Sequence, residues 1–421
     1  MKQYIRIALG TTIAIISWVA LVFIGSSEGW LHEAITASRS SDGFMVAAEK
    51  IIDEEPNGNI AMVLVEKGDV ADSYYRSSDA SVDQDTVFQV ASLSKWLTAW
   101  GVMVLVEDGL IDIDAPVSQY LTRWQLPNSE FDHSKVTIRR LLSHTAGLDD
   151  SLGYNGFDTV DEVQTLEDSL TRAKDASPGK SGIVKVGNEP GKEWSYSGGG
   201  YTLLQLVIEE VSGLSFADHM KQSVFQPLGM TRTTFDHSEA IEMGLAENLT
   251  LDGRSEPFRW YTALAATSLF TSPADMAKFI EIQAPEGKQS VLSKKMLAMM
   301  ATPHASSLGA DIWGLGVMLY APNNNGGFVI GHDGHNEPAI NTAVRLDPAT
   351  GDGIVVLETG SALLATKLAS EWVFWKTGNV DNLAFAMLLD TMFLWMLIGS
   401  VVILLIGIVI GWRKWRNVQN K

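Results

Sequence analysis

An α+β fold is predicted by three observations on this sequence. Short β-branched runs cluster at both ends of its polar portion, helical spacing fills the middle, and an uncharged apolar run lies near each terminus. Strands at both ends with helices between them favour one antiparallel sheet formed by both ends of the domain, with flanking helices and an inserted, mainly helical region. At 421 residues the chain has ample material for such a core. The expected division is 1–24, a membrane anchor or signal peptide; 25–41, a linker; 42–378, the domain; 379–390, an interfacial linker; 391–412, a transmembrane helix; and 413–421, a basic tail.

Each element has its own reason. Ile7 to Ile24 is 18 residues without a charge, follows Lys2 and Arg6, and is just long enough to span a bilayer. Gly25-Ser26-Ser27 leaves a cleaved signal peptide open as the alternative. Gly43 to Asp53 has a helical pattern. Asn59 to Asp69 and Val70 to Arg76 read as a hairpin closed at Lys67-Gly68. Thr86 to Val90 has a short strand's composition. Leu93, Trp96, Leu97, Trp100, Val104 and Leu105 then recur at helical spacing, Met103 and Val106 widen the stripe, and Gly109 stops it. A helix apolar nearly all round is a buried one.

The chain is then helical and loop-rich to about Pro303. Asp149 to Asn188, rich in Gly, Asp and Ser, reads as a loop over a cleft. Trp313 to Tyr320, Gly327 to Gly331, Ala339 to Leu346 and Gly353 to Glu358 read as strands, and Leu363 to Trp375 as a closing helix. Thr391 to Trp412 is 22 uncharged residues followed by Arg413-Lys414-Trp415-Arg416. Apolar sequence begins earlier, at Leu383, broken only by Asp390. Thirty helical residues would span about 45 Å, more than the hydrocarbon core. Asp390 is therefore expected at the interface, with Leu383 to Leu389 along the surface.

Basic residues at both ends place both tails in the cytoplasm and residues 25 to 390 outside the cell (inner) membrane, in an extracytoplasmic or periplasmic space. The ends hold six Lys/Arg and no acid, so a chain of net −19 leaves −25 on the segment between them. So acidic a surface argues against nucleic acid or anionic lipid as its partner. There are no cysteines, which removes disulfides, thiolate metal sites and a cysteine nucleophile.

The chemistry-bearing feature is Ser92-Leu93-Ser94-Lys95. A hydroxyl and an amine at i and i+3 share one helix face, so the amine can reach the serine Oγ. Ser92 in the first turn would meet unpaired N–H groups and the positive end of the helix dipole, both favourable to a developing alkoxide. Roughly one or two Ser-x-x-Lys tetrads are expected by chance in a chain this long. Ser177-Pro178-Gly179-Lys180 is one, and it reads as a turn. Two triplets follow Ser92: Tyr196-Ser197-Gly198, ahead of a helix from Tyr201, and His332-Asp333-Gly334. The first has a plain aromatic turn as its alternative. The second, with His335 and Glu337, has a His-x-x-His metal cluster as its alternative, disfavoured by glycines at 331 and 334. His144 reads as a structural histidine beside a turn.

A run of phrases in order carries a resemblance. Thr86 to Lys95, Val106 to Val117, Val136 to Leu148 (similar to a family signature ITIRHLLTHTSGL), Phe225 to Met230 and Ser272 to Phe279 resemble the serine β-lactamase and penicillin-binding-protein superfamily. The closer resemblance is to its class C β-lactamase-like group, with the esterase and D-aminopeptidase branches. It covers about residues 42 to 376 and implies that group's fold and a serine hydrolase acting on a small-molecule or peptide substrate, without cofactor or metal. Ser92 would be the acylated nucleophile. Lys95 would help deprotonate it, which requires a desolvated amine of lowered pKa. Tyr196 would be the main general acid and base. Backbone N–H groups of Ser92 and His335 would form the oxyanion hole. Ser197, Gly198, His332, Asp333 and Gly334 would bind substrate. Gly198 stands where the family commonly has Asn, and His332 where it commonly has Lys. Both changes fit esterases and peptidases better than enzymes of penicillins or D-Ala-D-Ala ends. Ala266-Thr267 replaces a Gly-Gly pair.

Overall fold

Ile60, Met62 and Leu64 alternate along one strand with Ala61, Val63 and Val65, and both sets are buried. Successive side chains of a strand point to opposite faces, so this strand must belong to a sheet covered on both sides. In the computed structural model, residues 2–55, 58–77, 81–149 and 153–419 are described. The chain runs α1 (Lys2–Ser27), α2 (Ser41–Asp53), β1 (Asn59–Glu66), β2 (Asp69–Arg76) and β3 (Phe88–Gln89), then a 3-10 turn at Ala91–Leu93 and α3 (Ser94–Glu107). The inserted region holds α4 (Ile138–Leu142), α5 (Leu166–Arg172), α6 (Gly198–Ser212), α7 (Phe216–Met220), β4 (Thr233–Thr234) and α8 (His237–Glu242). It continues through α9 (Leu264–Thr267), β5 (Phe270–Thr271), α10 (Pro273–Glu281) and α11 (Lys294–Met300). The sheet resumes with β6 (Ala305–Ser307), β7 (Ala310–Trp313), β8 (Met318–Pro322), β9 (Phe328–Asn336), β10 (Ile340–Asp347) and β11 (Asp352–Thr359). Helices α12 (Leu364–Thr377) and α13 (Asn382–Gln419) follow.

Eight strands form one antiparallel sheet in the order β2-β1-β11-β10-β9-β8-β7-β6, so both ends of the domain close it. Ile60, Met62 and Leu64 pack under Phe44 and Ile52 of α2 and Leu368 and Trp372 of α12. On the other face Ala61, Val63 and Val65 join the core of the inserted region. There α3 is buried continuously from Ser94 to Met103, and Trp96 and Trp100 each lie 5.0 Å from the Phe279 ring of α10. Such aromatic packing anchors the segment carrying Lys95.

Three expectations change in detail. Trp313 to Tyr320 is two strands: the chain turns at Gly316 (φ 77°), where a Cβ would lie 2.2 Å from that of Ala99. Leu315 and Val317 made this turn look like strand because they are buried in the core beside it. Thr86 to Val90 is strand only at Phe88–Gln89, since its partner β5 is two residues long. Leu383 to Leu389 is neither a linker nor a separate surface segment. Asp381 accepts the N–H groups of Leu383 (2.7 Å) and Ala384 (3.3 Å), and the helix started there runs unbroken through Asp390.

Helices α1 and α13 contain stretches of 24 and 36 residues long and apolar enough to cross a membrane. They pack antiparallel. Thr11 fits against Gly407, Trp18 against Gly399, and the Trp18 indole N–H donates to the Trp395 carbonyl at 3.1 Å. Phe23 meets Phe385 edge-on.

Candidate active site

The nucleophile turn is built tightly. Ala91 holds φ at 47°, a left-handed conformation costing a non-glycine residue about 1 kcal/mol or more. The Ser94 hydroxyl donates to the Ala91 carbonyl at 2.5 Å and accepts the Leu269 N–H at 2.9 Å, fixing the turn against the strand beyond α9. Ser92 is left partly exposed while Leu93, Ser94 and Lys95 are buried. Ser92 thus occupies the 3-10 turn leading into α3. Lys95 is only 2% exposed, and its Nζ donates to Ser92 Oγ at 3.2 Å and to the Ala266 carbonyl at 2.7 Å. A backbone oxygen from α9 thus steers the amine; any residue at 266 would supply it, so it does not explain the Ala266-Thr267 departure.

Tyr196 comes from the residues just before α6, and its hydroxyl is hydrogen-bonded to Ser92. Lys95 Nζ stands 4.9 Å from the Tyr196 ring centre. Burial pushes the phenol pKa above its ordinary value, and the bond to Ser92 opposes that only in part. Tyr196 therefore rests as a neutral phenol. His144 holds it in place. This residue sits at φ 57° in a turn; its carbonyl accepts the Ser195 N–H at 2.8 Å and its Nδ1 accepts the Ser197 N–H at 3.1 Å. Its ring lies 4.4 Å from that of Tyr196. The Ser197 hydroxyl caps α6 by accepting the Gly200 N–H at 2.8 Å, and Gly198 begins that helix. Both are buried beneath Tyr196 rather than lining the cleft.

Strand alternation divides His332, Asp333 and Gly334, expected to bind substrate, between the two faces of β9. On β9, His332 and Gly334 share the face toward Ser92 and Asp333 lies on the opposite one, while at the end of the strand both His335 and Asn336 line the cleft. His332 is 1% exposed, packs edge-on against Trp313, and donates from Nδ1 to the Asp333 carbonyl at 2.6 Å. Burial, then the nearby charge of Lys95, lowers its pKa to about 3, so it is a neutral imidazole. Gly334 permits close approach: a Cβ there would lie 2.0 Å from the Val90 carbonyl and 2.4 Å from Thr342 Oγ1. Asp333 bonds Tyr320, Arg345 and Thr366. His332 and His335 do not converge on one point, and no group of three or more His, Asp or Glu residues able to hold a metal occurs among the described residues.

Above Ser92, Lys95 and Tyr196 lies a cleft of about 250 Å³. The end of β9 supplies His335, Asn336 and Glu337, and Ala266 and Thr267 supply another wall. Gly153, Tyr154, Asn155 and Ser177 complete it, so the segment expected to cover the cleft does so. Ser177-Pro178-Gly179-Lys180 is a turn, closed by the Lys180 N–H on the Ser177 carbonyl at 3.1 Å.

The model of the beta-lactamase family matches residues 48–370. The chain belongs to that family. Among curated relatives it is 29% identical over 305 residues to penicillin-binding protein 4 of Amycolatopsis lactamdurans, covering 68% of this chain and 75% of that one. To penicillin-binding protein 4* of Bacillus subtilis it is 39% identical over 153 residues, covering 35% and 30%. The chain thus spans less than a third of one of these β-lactamase relatives and three quarters of the other. Among solved structures, the octameric penicillin-binding protein homologue from Pyrococcus abyssi superposes with a TM-score of 0.68 at 26% identity, over 81% of this chain and 78% of that one. A D-amino acid amidase from Ochrobactrum anthropi shares the β-lactamase-type fold at 22% identity, with a TM-score of 0.61 over 80% and 97% of the two chains.

Several residues at this site had no signal in the sequence. Tyr154, Asn155 and Asn336 belong to no motif, and only the topology brings them together. His144 was placed beside a turn, but its grip on Tyr196 depends on a backbone conformation that nothing in its neighbours' identity announces.

Proposed function

We propose that this chain is a membrane-anchored, extracytoplasmic serine hydrolase that forms an acyl-enzyme at Ser92 on an ester or small amide. The observation that carries the reading is the meeting of Ser92 Oγ with Lys95 Nζ at 3.2 Å and with the Tyr196 hydroxyl on the floor of a small cleft. Acylation starts from the Lys95 amine in its neutral form, which takes the Ser92 proton as Oγ attacks the carbonyl. The neutral Tyr196 phenol delivers a proton to the leaving group and is reprotonated from Lys95. Deacylation by water reverses these transfers. Backbone N–H groups of Ser92 and His335 would receive the oxyanion.

Charge favours an ester or amide over a penicillin or a D-Ala-D-Ala end. With His332 buried and neutral, Glu337 is the acidic side chain among the described residues that line the cleft. A substrate carboxylate would be repelled by that acid, whereas an amine would be attracted to it and a neutral group would not be repelled. The volume suits a small acyl or aminoacyl group. Packing of α1 on α13, with the basic ends of both at one end of the pair, supports anchorage by a helical hairpin.

The test is intact mass of the full chain in detergent after a fluorophosphonate probe. One adduct is expected, absent from Ser92→Ala, with labelling slowed about 100-fold or more in Lys95→Ala and Tyr196→Phe. A folded protein that takes no adduct would leave a catalytically silent scaffold as the reading. Stable acylation by a fluorescent penicillin would instead establish a penicillin-binding carboxypeptidase or β-lactamase.

A further inference from the structure

The face of β9 turned away from Ser92 carries a buried charge cluster that reaches the root of α13. The Asp333 carboxylate accepts from the Tyr320 hydroxyl at 2.6 Å, Arg345 Nη1 at 2.5 Å and the Thr366 hydroxyl at 2.6 Å. Arg345 is fully buried on β10, stacked 3.4 Å over the Tyr320 ring. Its Nε points to Asp381 Oδ2 at 3.4 Å. Asp381 is 1% exposed, and its other oxygen is the one that caps α13 through Leu383 and Ala384. One guanidinium therefore joins the first turn of the apolar helix to the residue lying between His332 and Gly334.

A helix that served only as an anchor would need no buried ion pair to seat it. Two charges removed from water cost several kcal/mol each, and an apolar contact of similar volume is often as stable or more so. What the pair adds is direction: a charged, hydrogen-bonded contact has a preferred geometry where an apolar contact can slide. At β9 that position matters, because the Gly334 backbone lies against the Val90 carbonyl two residues before Ser92.

We propose that Asp381 and Arg345 are positioning residues, through which the first turn of α13 sets where β9 stands against the nucleophile turn. The helix pair is then part of the active-site framework as well as a tether. The catalytic half of this inference rests on the hydrolase reading; the structural half does not.

The test uses the full chain in lipid nanodiscs, comparing wild type with Asp381→Asn. Asn caps a helix as well as Asp does, so α13 should start where it did while Arg345 keeps Asp333 and loses its charged partner on α13. Expected results are hydrogen exchange about tenfold faster in residues 332–336, unchanged exchange in the first turns of α13, and a fluorophosphonate inactivation rate constant about tenfold lower at unchanged probe affinity. Wild-type exchange in β9 would overturn the proposal whether or not the protein proves reactive. Altered exchange with wild-type inactivation would overturn its catalytic half. An unreactive wild type counts against the hydrolase reading alone, and the exchange measurement still decides. Should Asp381→Asn fail to fold, Asp381→Ser keeps a capping hydroxyl without the charge and is subject to the same expectations.

Discussion

Two buried histidines show how the site's chemistry enters its stability. His332, at about 3, lies well below its free value of 6.5, and burial lowers His144 as well. Between pH 6.5 and 3 the unfolded chain binds a proton at position 332 that the folded chain refuses. Stability therefore falls as pH falls through that window, by up to about 1.4 kcal/mol per pH unit for one proton. Asp175, pushed up to about 6 by burial, has the opposite sign: its contribution is full below its free value near 3.8 and is lost as pH rises through 6. Comparing one variant with wild type separates them. In His332→Gln, the thermal midpoint of the domain should decline less between pH 7 and 4.5, by one proton's worth of slope. An identical decline would mean that His332 is protonated in the folded protein, and the neutral imidazole assigned to it would be wrong.

At the scale of single elements, Gly334 gives the sharpest expectation. Its missing Cβ lets β9 touch the nucleophile turn, so Gly334→Ala must push the strand away. Overpacking of this kind costs about 1–3 kcal/mol. Labelling of Ser92 should fall by about tenfold or more, since a sub-ångström error in the site costs rate steeply. Gly327→Ala, at the turn before the same strand, meets nothing nearer than 3.4 Å and should leave both unchanged. Equal labelling of Gly334→Ala and wild type would show that β9 does not set the geometry. The same strand marks what a linear reading of the chain can see. The β1–β2 hairpin, α3, α6 and α12 were legible because periodicity and burial agree along their length. Ser92, Lys95 and Tyr196 were legible because their motifs lie in order along the chain, and the structure brings all three together. His332-Asp333-Gly334 was legible as a motif but not as a set of directions. Neighbours on a strand face opposite ways, and only its partners decide which face meets Ser92. The turn between β7 and β8 was hidden for a related reason: core burial kept Leu315 and Val317 apolar where the backbone reverses.

For the molecule as a whole, the proposed anchorage predicts how α1 and α13 would lie across a bilayer. Antiparallel packing puts Lys2 and Arg6 at the same end of the pair as Arg413, Lys414 and Arg416. The domain of residues 25–390, at −25, lies at the other end. Basic flanks stay cytoplasmic, so both termini should be inside and the cleft outside. We expect α1 to be retained, because Trp18 fits on Gly399 and Thr11 on Gly407, and its removal would leave those glycines facing lipid. The absence of cysteine makes the experiment direct. Single-cysteine variants Tyr4→Cys, Ser181→Cys and Asn417→Cys would be treated in intact cells with a membrane-impermeant maleimide. Ser181→Cys should react at once, and the other two only after permeabilisation. Reaction of Tyr4→Cys in intact cells would place the amino terminus outside and break the hairpin. A mature protein lacking Tyr4 would show that α1 is removed, and α13 would then hold the domain alone through Asp381.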